Sequence, residues 1–155
     1  MKTLIIIVFF LVTPILIYGQ EGLKFGYTIQ RDSIDSSLIR IGAKIINKTN
    51  EKIYFLSESC NGLNYYLKMN NSKITPSVSI HCNVTYPRKI EIDANSEYVF
   101  NSVIKINREL KVASFTLIFV QLNSTTEVDG RHVNEIQEEY SSQTFILKGD
   151  NVEIK

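Results

Sequence analysis

Cys60, Cys82, His81 and His132 are the side chains best equipped for bond-making chemistry, and between them they account for every thiol and imidazole of the sequence. A nucleophilic thiolate needs a histidine within reach of its proton. His81 adjoins Cys82, but neighbours on a strand point to opposite faces, and His132 reaches either cysteine only through the fold. Structural zinc is held by ligand pairs at short spacing, and the one close pair, His81-Cys82, diverges. The sequence also lacks a Gly-x-Ser-x-Gly elbow, a His-Glu-x-x-His motif and a phosphate-cradling glycine loop, and its two histidines leave little material for acid and base work. The residues therefore predict no catalytic centre, no cofactor and no metal: the chain reads as a non-enzyme.

What remains for the cysteines is oxidation, which depends on compartment. Lys2 precedes an unbroken apolar run from Leu4 to Val12, then Thr13, Pro14 and apolar Ile15 to Tyr18. A bilayer span needs about 20 apolar residues, whereas a positive residue followed by a short apolar stretch is the order of a signal peptide. Pro14 and Gly19 interrupt the run, and Gly19 places the expected cleavage at Gly19/Gln20. Residues 1–19 are thus read as a signal peptide and 20–155 as one domain of 155 − 19 = 136 residues, without a membrane span and secreted or periplasmic. A Cys60–Cys82 disulfide is expected there; it would close a loop spanning 82 − 60 = 22 positions, worth roughly 3 kcal/mol in the chain-entropy model.

Charge narrows the partners. The chain has 17 basic and 16 acidic residues, and removal of Lys2 with the signal leaves 16 against 16. Such a balance supplies neither the counterion release that drives nucleic-acid binding nor a basic face for anionic lipid. An unidentified protein or glycan is the partner that remains.

The elements that must position any site are strands, because apolar residues recur with period two from Lys24 onward. Phe25, Tyr27 and Ile29 mark one face of a first strand, and Ile39, Ile41, Ala43 and Ile45 one face of a second. Ile53 to Leu56 makes a third after the polar turn Asn47 to Asn50. Tyr65 to Met69 reads as a short strand with one tyrosine ring on each face, and a further segment runs over 78–84. Pro87 marks an edge strand or turn, followed by Ile90 and Ile92, the polar turn Asp93 to Ser96, and apolar residues from Tyr98 to Ile106. Val112 to Leu122 is apolar on both faces, as in a central buried strand, and Phe145 with Leu147 forms a late strand that Val152 and Ile154 extend. Four Asn-x-Ser/Thr triplets begin at Asn47, Asn70, Asn83 and Asn123 and would be glycan acceptors in a eukaryotic secretory route.

Seven to nine short strands at this spacing predict an all-β, immunoglobulin-like antiparallel β-sandwich. The order of Asn47-Lys48-Thr49, Ile53-Tyr54-Phe55-Leu56, Cys60, Cys82, Pro87 and Ile90-x-Ile92 over Leu38 to Leu122 resembles small exported immunoglobulin-like sandwich proteins of bacteria. It is similar, more distantly, to the BsuPI-type proteinase-inhibitor domain. The resemblance implies a fold; no residue matches a reactive-site motif. Function then reads as an exported binding or structural module, with inhibition of a secreted proteinase through an exposed loop as the alternative.

One segment stands out as a candidate binding loop. Residues 123–143 are acidic and Ser/Thr-rich between two apolar strands, and loops longer than about 12–15 residues in compact domains are usually functional or disordered. Glu127, Asp129, Arg131, His132 and Glu135 are its candidate ligand contacts. The segment is expected to project beyond the sandwich. The competing expectations are a Val128-Asp129-Gly130-Arg131 turn followed by a solvated turn of helix over Asn134 to Tyr140, or packing of Val128, Val133, Ile136 and Tyr140 on the sheet, in which case deleting the segment would cost several kcal/mol.

Overall fold

Alternation is obeyed to the residue in the second strand, β2 (Leu38–Asn47). Ile39, Ile41, Ala43 and Ile45 are each at most 1% exposed, while Arg40 and Lys44 face solvent. Burying one such aliphatic side chain contributes roughly 1.5–3 kcal/mol, which holds β2 in this phase. On either side β2 pairs antiparallel with β1 (Leu23–Arg31) and β6 (Glu97–Lys105), giving the sheet β1-β2-β6.

The computed structural model describes residues 22–60, 62–70 and 84–154. The expected signal peptide, and most of the segment 78–84 with His81 and Cys82, lie outside them. The second sheet is built on β8 (Phe115–Leu122), which pairs antiparallel with β3 (Ile53–Glu58), β4 (Leu67–Met69) and β9 (Thr144–Lys148); β3 also pairs with β5 (Pro87–Ile92). Phe55, Phe115, Leu117 and Phe119 from this sheet interlock with Ile39, Ile41, Ile45 and Phe100 from the first in one core. The chain is therefore an all-β antiparallel sandwich, with ten strands among the described residues counting the two-residue β7 (Val112–Ala113) and β10 (Val152–Glu153).

Three local expectations are corrected. The apolar run 112–122 is not one strand: it breaks at Ser114, whose carbonyl accepts the Asn70 N–H at 3.0 Å. Val152 does not extend β9; it pairs with Ala113 of β7, because the chain turns at Gly149. Tyr65 and Tyr66 do not lie on a strand. They close the 3₁₀ turn Gly62–Tyr66, which tucks Leu63 and Tyr66 into the core.

One long side of the sandwich is sealed. The Tyr27 hydroxyl donates to the Asp150 carbonyl and accepts the Phe115 N–H at 2.9 Å. Gly149 passes so near that a Cβ there would stand 2.1 Å from Tyr27 Cε1. Burial pushes the Tyr27 phenol up from its ordinary value, followed in effect by the Phe115 N–H, which lowers it.

Candidate functional site

The segment 123–143 is architecture on one side and charge on the other. Asp129-Gly130 makes the expected turn, with Gly130 at φ 74 and the Arg131 N–H donating to the Val128 carbonyl at 3.3 Å. Helix α1 (Val133–Glu139) follows. Val128, Val133 and Ile136 are buried and pack with Leu56, Val120 and Leu122 in a second cluster, flanked by Tyr54 and Tyr140. Leu56, Val120 and Leu122 point away from the inter-sheet core, so the segment lies over the outer face of the second sheet. The expectation that it projects is overturned. The 3.6-residue spacing of Val133, Ile136 and Tyr140 aims three apolar groups at a strand face that alternation had left apolar.

The five candidate contacts are kept at the rim. Glu127, Asp129, His132 and Glu135 are exposed and Arg131 half-buried, but they do not converge on a ligand. Glu135 accepts the His132 N–H at 3.3 Å and so caps α1. Arg131 pairs with Glu139 at 2.5 Å, and that guanidinium holds the Glu139 carboxyl below its usual range. No group of three or more His, Cys, Asp or Glu side chains able to hold a metal occurs among the described residues. Of the cysteines, Cys60 carries no free thiol, and Cys82 lies outside the described residues.

The sequon positions separate clearly. Asn47 is fully buried and its amide is consumed by the fold. The Asn70 amide donates to Ser114 Oγ at 3.0 Å and accepts from Thr116 Oγ1 at 2.7 Å. Asn123 is exposed, and Asn83 lies outside the described residues.

A second prominent loop, 32–37, carries Ile34 at its apex, 95% exposed. Asp32 organises it by accepting the N–H groups of Ile34 and Asp35 at 2.9 and 3.0 Å and the Arg40 guanidinium at 2.7 Å. These contacts, the Asp35 N–H first, lower the Asp32 carboxyl to about 2. A carboxyl whose folded value is depressed contributes stability that is complete above its unfolded value and is lost as pH falls through the folded one. The stability difference between wild type and Asp32→Asn should therefore be constant above about pH 5 and narrow steadily toward pH 2, as read from urea unfolding across that range. A difference independent of pH would show that the carboxylate charge does not hold the loop.

Among the described residues, the side of the sandwich opposite Tyr27 is open. Among the described residues β5 and β6 are the end strands of their sheets and do not pair with each other. The 3₁₀ turn 62–66 fills part of the gap, and what remains is a cavity of about 330 Å³. Glu58, Asn64, Arg88, Ile90, Tyr98 and Asn101 are among its lining residues. The Glu58 side chain is buried at the end of β3 and accepts the Thr85 hydroxyl at 3.0 Å. Asn64 Oδ1 is buried with no donor. Arg88 and Asn101 are exposed, and neither side chain forms a hydrogen bond or ion pair with another described residue. Sequence reasoning passed over these residues as a polar loop and two ordinary strand positions. The available signal was Glu58 itself, an acid two residues past Leu56 and so in phase with that buried side chain.

No family model matches the chain, and no curated protein matches it, so the likeness to the BsuPI-type domain stands on the quoted residues alone. Among solved structures the chain is similar to the collagen-binding domain from a Staphylococcus aureus adhesin, at 14% identity and a TM-score of 0.29, over 86% of this chain and 99% of that one. A likeness of that size says nothing about what this chain binds.

Proposed function

We propose that the chain is an exported, non-enzymatic binding module whose ligand enters the open seam between β5 and β6. The observation that carries this reading is the concentration there of unmatched polar groups around a cavity. Asn64 Oδ1 has no donor, and Arg88 and Asn101 stand without side-chain partners beside the buried Glu58. Buried polar atoms are normally satisfied, and an exception lining a cavity is where a ligand gains most. Two other faces are covered: 123–143 lies over the outer face of the second sheet, and Tyr27 with Gly149 seals the side opposite the seam. Loop 32–37 does not favour proteinase inhibition, because side-chain bonds coil it while a proteinase cleft takes an extended strand.

Export rests on the signal-like residues 1–19 and leads to the Cys60–Cys82 disulfide, which the lack of a free thiol at Cys60 supports. Intact mass of the exported product should show residues 1–19 removed, and non-reducing peptide maps should recover Cys60 and Cys82 as one linked species. Reduction should lower stability by roughly 3 kcal/mol. Recovery of two alkylated thiols would refute the bond.

The binding reading is tested by thermal-shift screening of the mature protein against sugar, peptide and small-molecule libraries. At least one class should raise the melting temperature with concentration, as any native-state ligand must, and Asn101→Trp, which obstructs the seam, should abolish the rise. Turnover in a generic hydrolase panel, or inhibition in a proteinase panel, would overturn it.

A further inference from the structure

We propose that the chain associates with a second copy of itself, the Ile34 loop of one copy seating in a small apolar pocket beside helix α1 of the next. The loop is the first half of the contact. Ile34 stands 95% exposed at the apex of a turn that side chains hold from both ends. Asp32 accepts the Ile34 and Asp35 N–H groups, Asp35 accepts the Ser37 N–H and hydroxyl at 2.9 and 2.7 Å, and the Arg31 guanidinium donates to the Ser36 carbonyl at 2.6 Å. A single apolar side chain at a surface is ordinary, but one whose backbone is fixed in advance loses little freedom on docking. Its branched side chain is stiff at χ1 as well.

The pocket is the second half. Ile118, Val120 and Leu122 share the outer face of β8, and the segment 123–143 covers Val120 and Leu122 but stops short of Ile118, which joins neither apolar cluster. What is left is a cavity of about 230 Å³, walled by Tyr66, Ile118 and Val120 and rimmed by Lys68, Gln137 and Thr144. That is smaller than ligand clefts, which run from about 300 to 1,000 Å³, and suits one aliphatic side chain.

Charge matches the two halves to each other. Loop 32–37 is tied to the segment 105–111, where the Ser37 carbonyl accepts the Ile106 N–H at 2.7 Å and the Arg31 guanidinium donates to the Leu110 carbonyl at 2.7 Å. Lys105, Arg108 and Lys111 there outnumber Glu109, whereas 123–143 sets Glu127, Asp129, Glu135, Glu138 and Glu139 against Arg131 alone. The surroundings of Ile34 are thus basic and the flank of the pocket acidic. Lys68 at the pocket rim is in turn opposite in sign to Asp35, the neighbour of Ile34 in the loop. Opposed charges of this kind steer and orient association. Because the loop joins two strands of the first sheet and the pocket lies on the outer face of the second, one chain does not fill its own pocket. The contact is heterologous: it joins unlike patches and continues from copy to copy as a chain or a closed ring.

The test is sedimentation equilibrium of the mature protein from about 10 μM to about 1 mM, the range in which a small contact of this kind associates. The weight-average mass should rise with concentration, and less steeply in about 1 M salt, which screens the charges around the pocket. Ile34→Ser, at an exposed position, and Gln137→Trp, which fills the pocket, should each stay monomeric over that range, a loss of roughly tenfold or more in affinity. Mixed in equal amounts, the two variants should form a dimer and nothing larger, since the first keeps only the pocket and the second only the loop. Should Gln137→Trp fail to fold, Thr144→Trp at the exposed rim takes its place. Arg108→Glu should weaken the association, and Asn101→Trp, in the seam, should leave it unchanged. A wild type that stays monomeric throughout overturns the contact and leaves the Ile34 loop to a different protein. Association that survives Ile34→Ser, that disappears with Asn101→Trp, or that mixing does not restore overturns it equally.

Discussion

Replacing residues 124–142 by a short turn should leave a chain that does not fold. The excision removes Val128, Val133 and Ile136 and bares Leu56, Val120 and Leu122, all buried against one another. At roughly 1.5–3 kcal/mol for each fully buried side chain, the loss is of the same order as the 5–15 kcal/mol that stabilises an ordinary domain. Loop-closure entropy, the only term a shorter connection improves, changes by about 0.6 kcal/mol per doubling of length and cannot offset it. A graded version is Ile136→Ala. Ile136 is fully buried, so its truncation should lower stability by about 2–5 kcal/mol in urea unfolding followed by circular dichroism. Charge removal at the rim, Glu127→Gln or Asp129→Asn, should stay within about 0.5 kcal/mol. A truncated chain with an unchanged melting temperature would return the segment to the status of a projecting loop.

Asn47→Ala should be nearly as damaging, through hydrogen bonds and not through volume. The Asn47 amide nitrogen donates to the carbonyls of Glu51, Ile92 and Asp93 at 2.7, 3.2 and 3.0 Å. Its oxygen accepts the Thr49 N–H and hydroxyl at 3.0 and 2.6 Å. Glu51 and Thr49 belong to the turn 47–52, while Ile92 ends β5 and Asp93 begins the turn 93–96; each turn carries the chain from one sheet to the other, and the Asn47 N–H fixes them further on the Ser96 carbonyl at 2.9 Å. One side chain thus fastens two crossovers. Each buried group left without its partner costs about 1–3 kcal/mol, so the truncation should lower stability by about 3–5 kcal/mol. Asn47→Asp should cost more at neutral pH, because it sets a carboxylate oxygen against three carbonyl oxygens, and should recover in part as acid protonates it. Chemical unfolding of the two variants between neutral and acid pH checks both the size and the direction. Equal stability of Asn47→Ala and wild type would show that the crossovers hold without the latch.

The same residue shows how a correct observation can carry the wrong meaning. Asn47-Lys48-Thr49 has the spacing of a glycan acceptor, and in the fold that spacing lets the Thr49 hydroxyl and N–H reach Asn47 Oδ1 as a side-chain-stabilised turn. Burial separates the two readings, and burial is not written in three residues.

Strand faces, by contrast, were legible. The phase of Ile39, Ile41, Ala43 and Ile45, the inward set Phe115, Leu117 and Phe119, and the position of Pro87 at the start of an end strand all follow from local alternation and backbone chemistry. A side chain's face is set by its neighbours within the same strand, so a single sequence suffices to state it. Even the apolar outer face of β8, with Val120 and Leu122, announced that something had to cover it. What covers it, and what stays uncovered, was decided only in three dimensions. The acidic composition of 123–143 left a projecting loop and a packed one both open, and only the fold shows Val133, Ile136 and Tyr140 lined up by helical spacing against the sheet. Among the described residues the seam exists because β5 and β6, the end strands of different sheets, do not pair with each other. Local sequence determines which way each residue points, while sheet order and stacking, set by contacts between residues far apart in the chain, determine which points meet and which cavity is left between them.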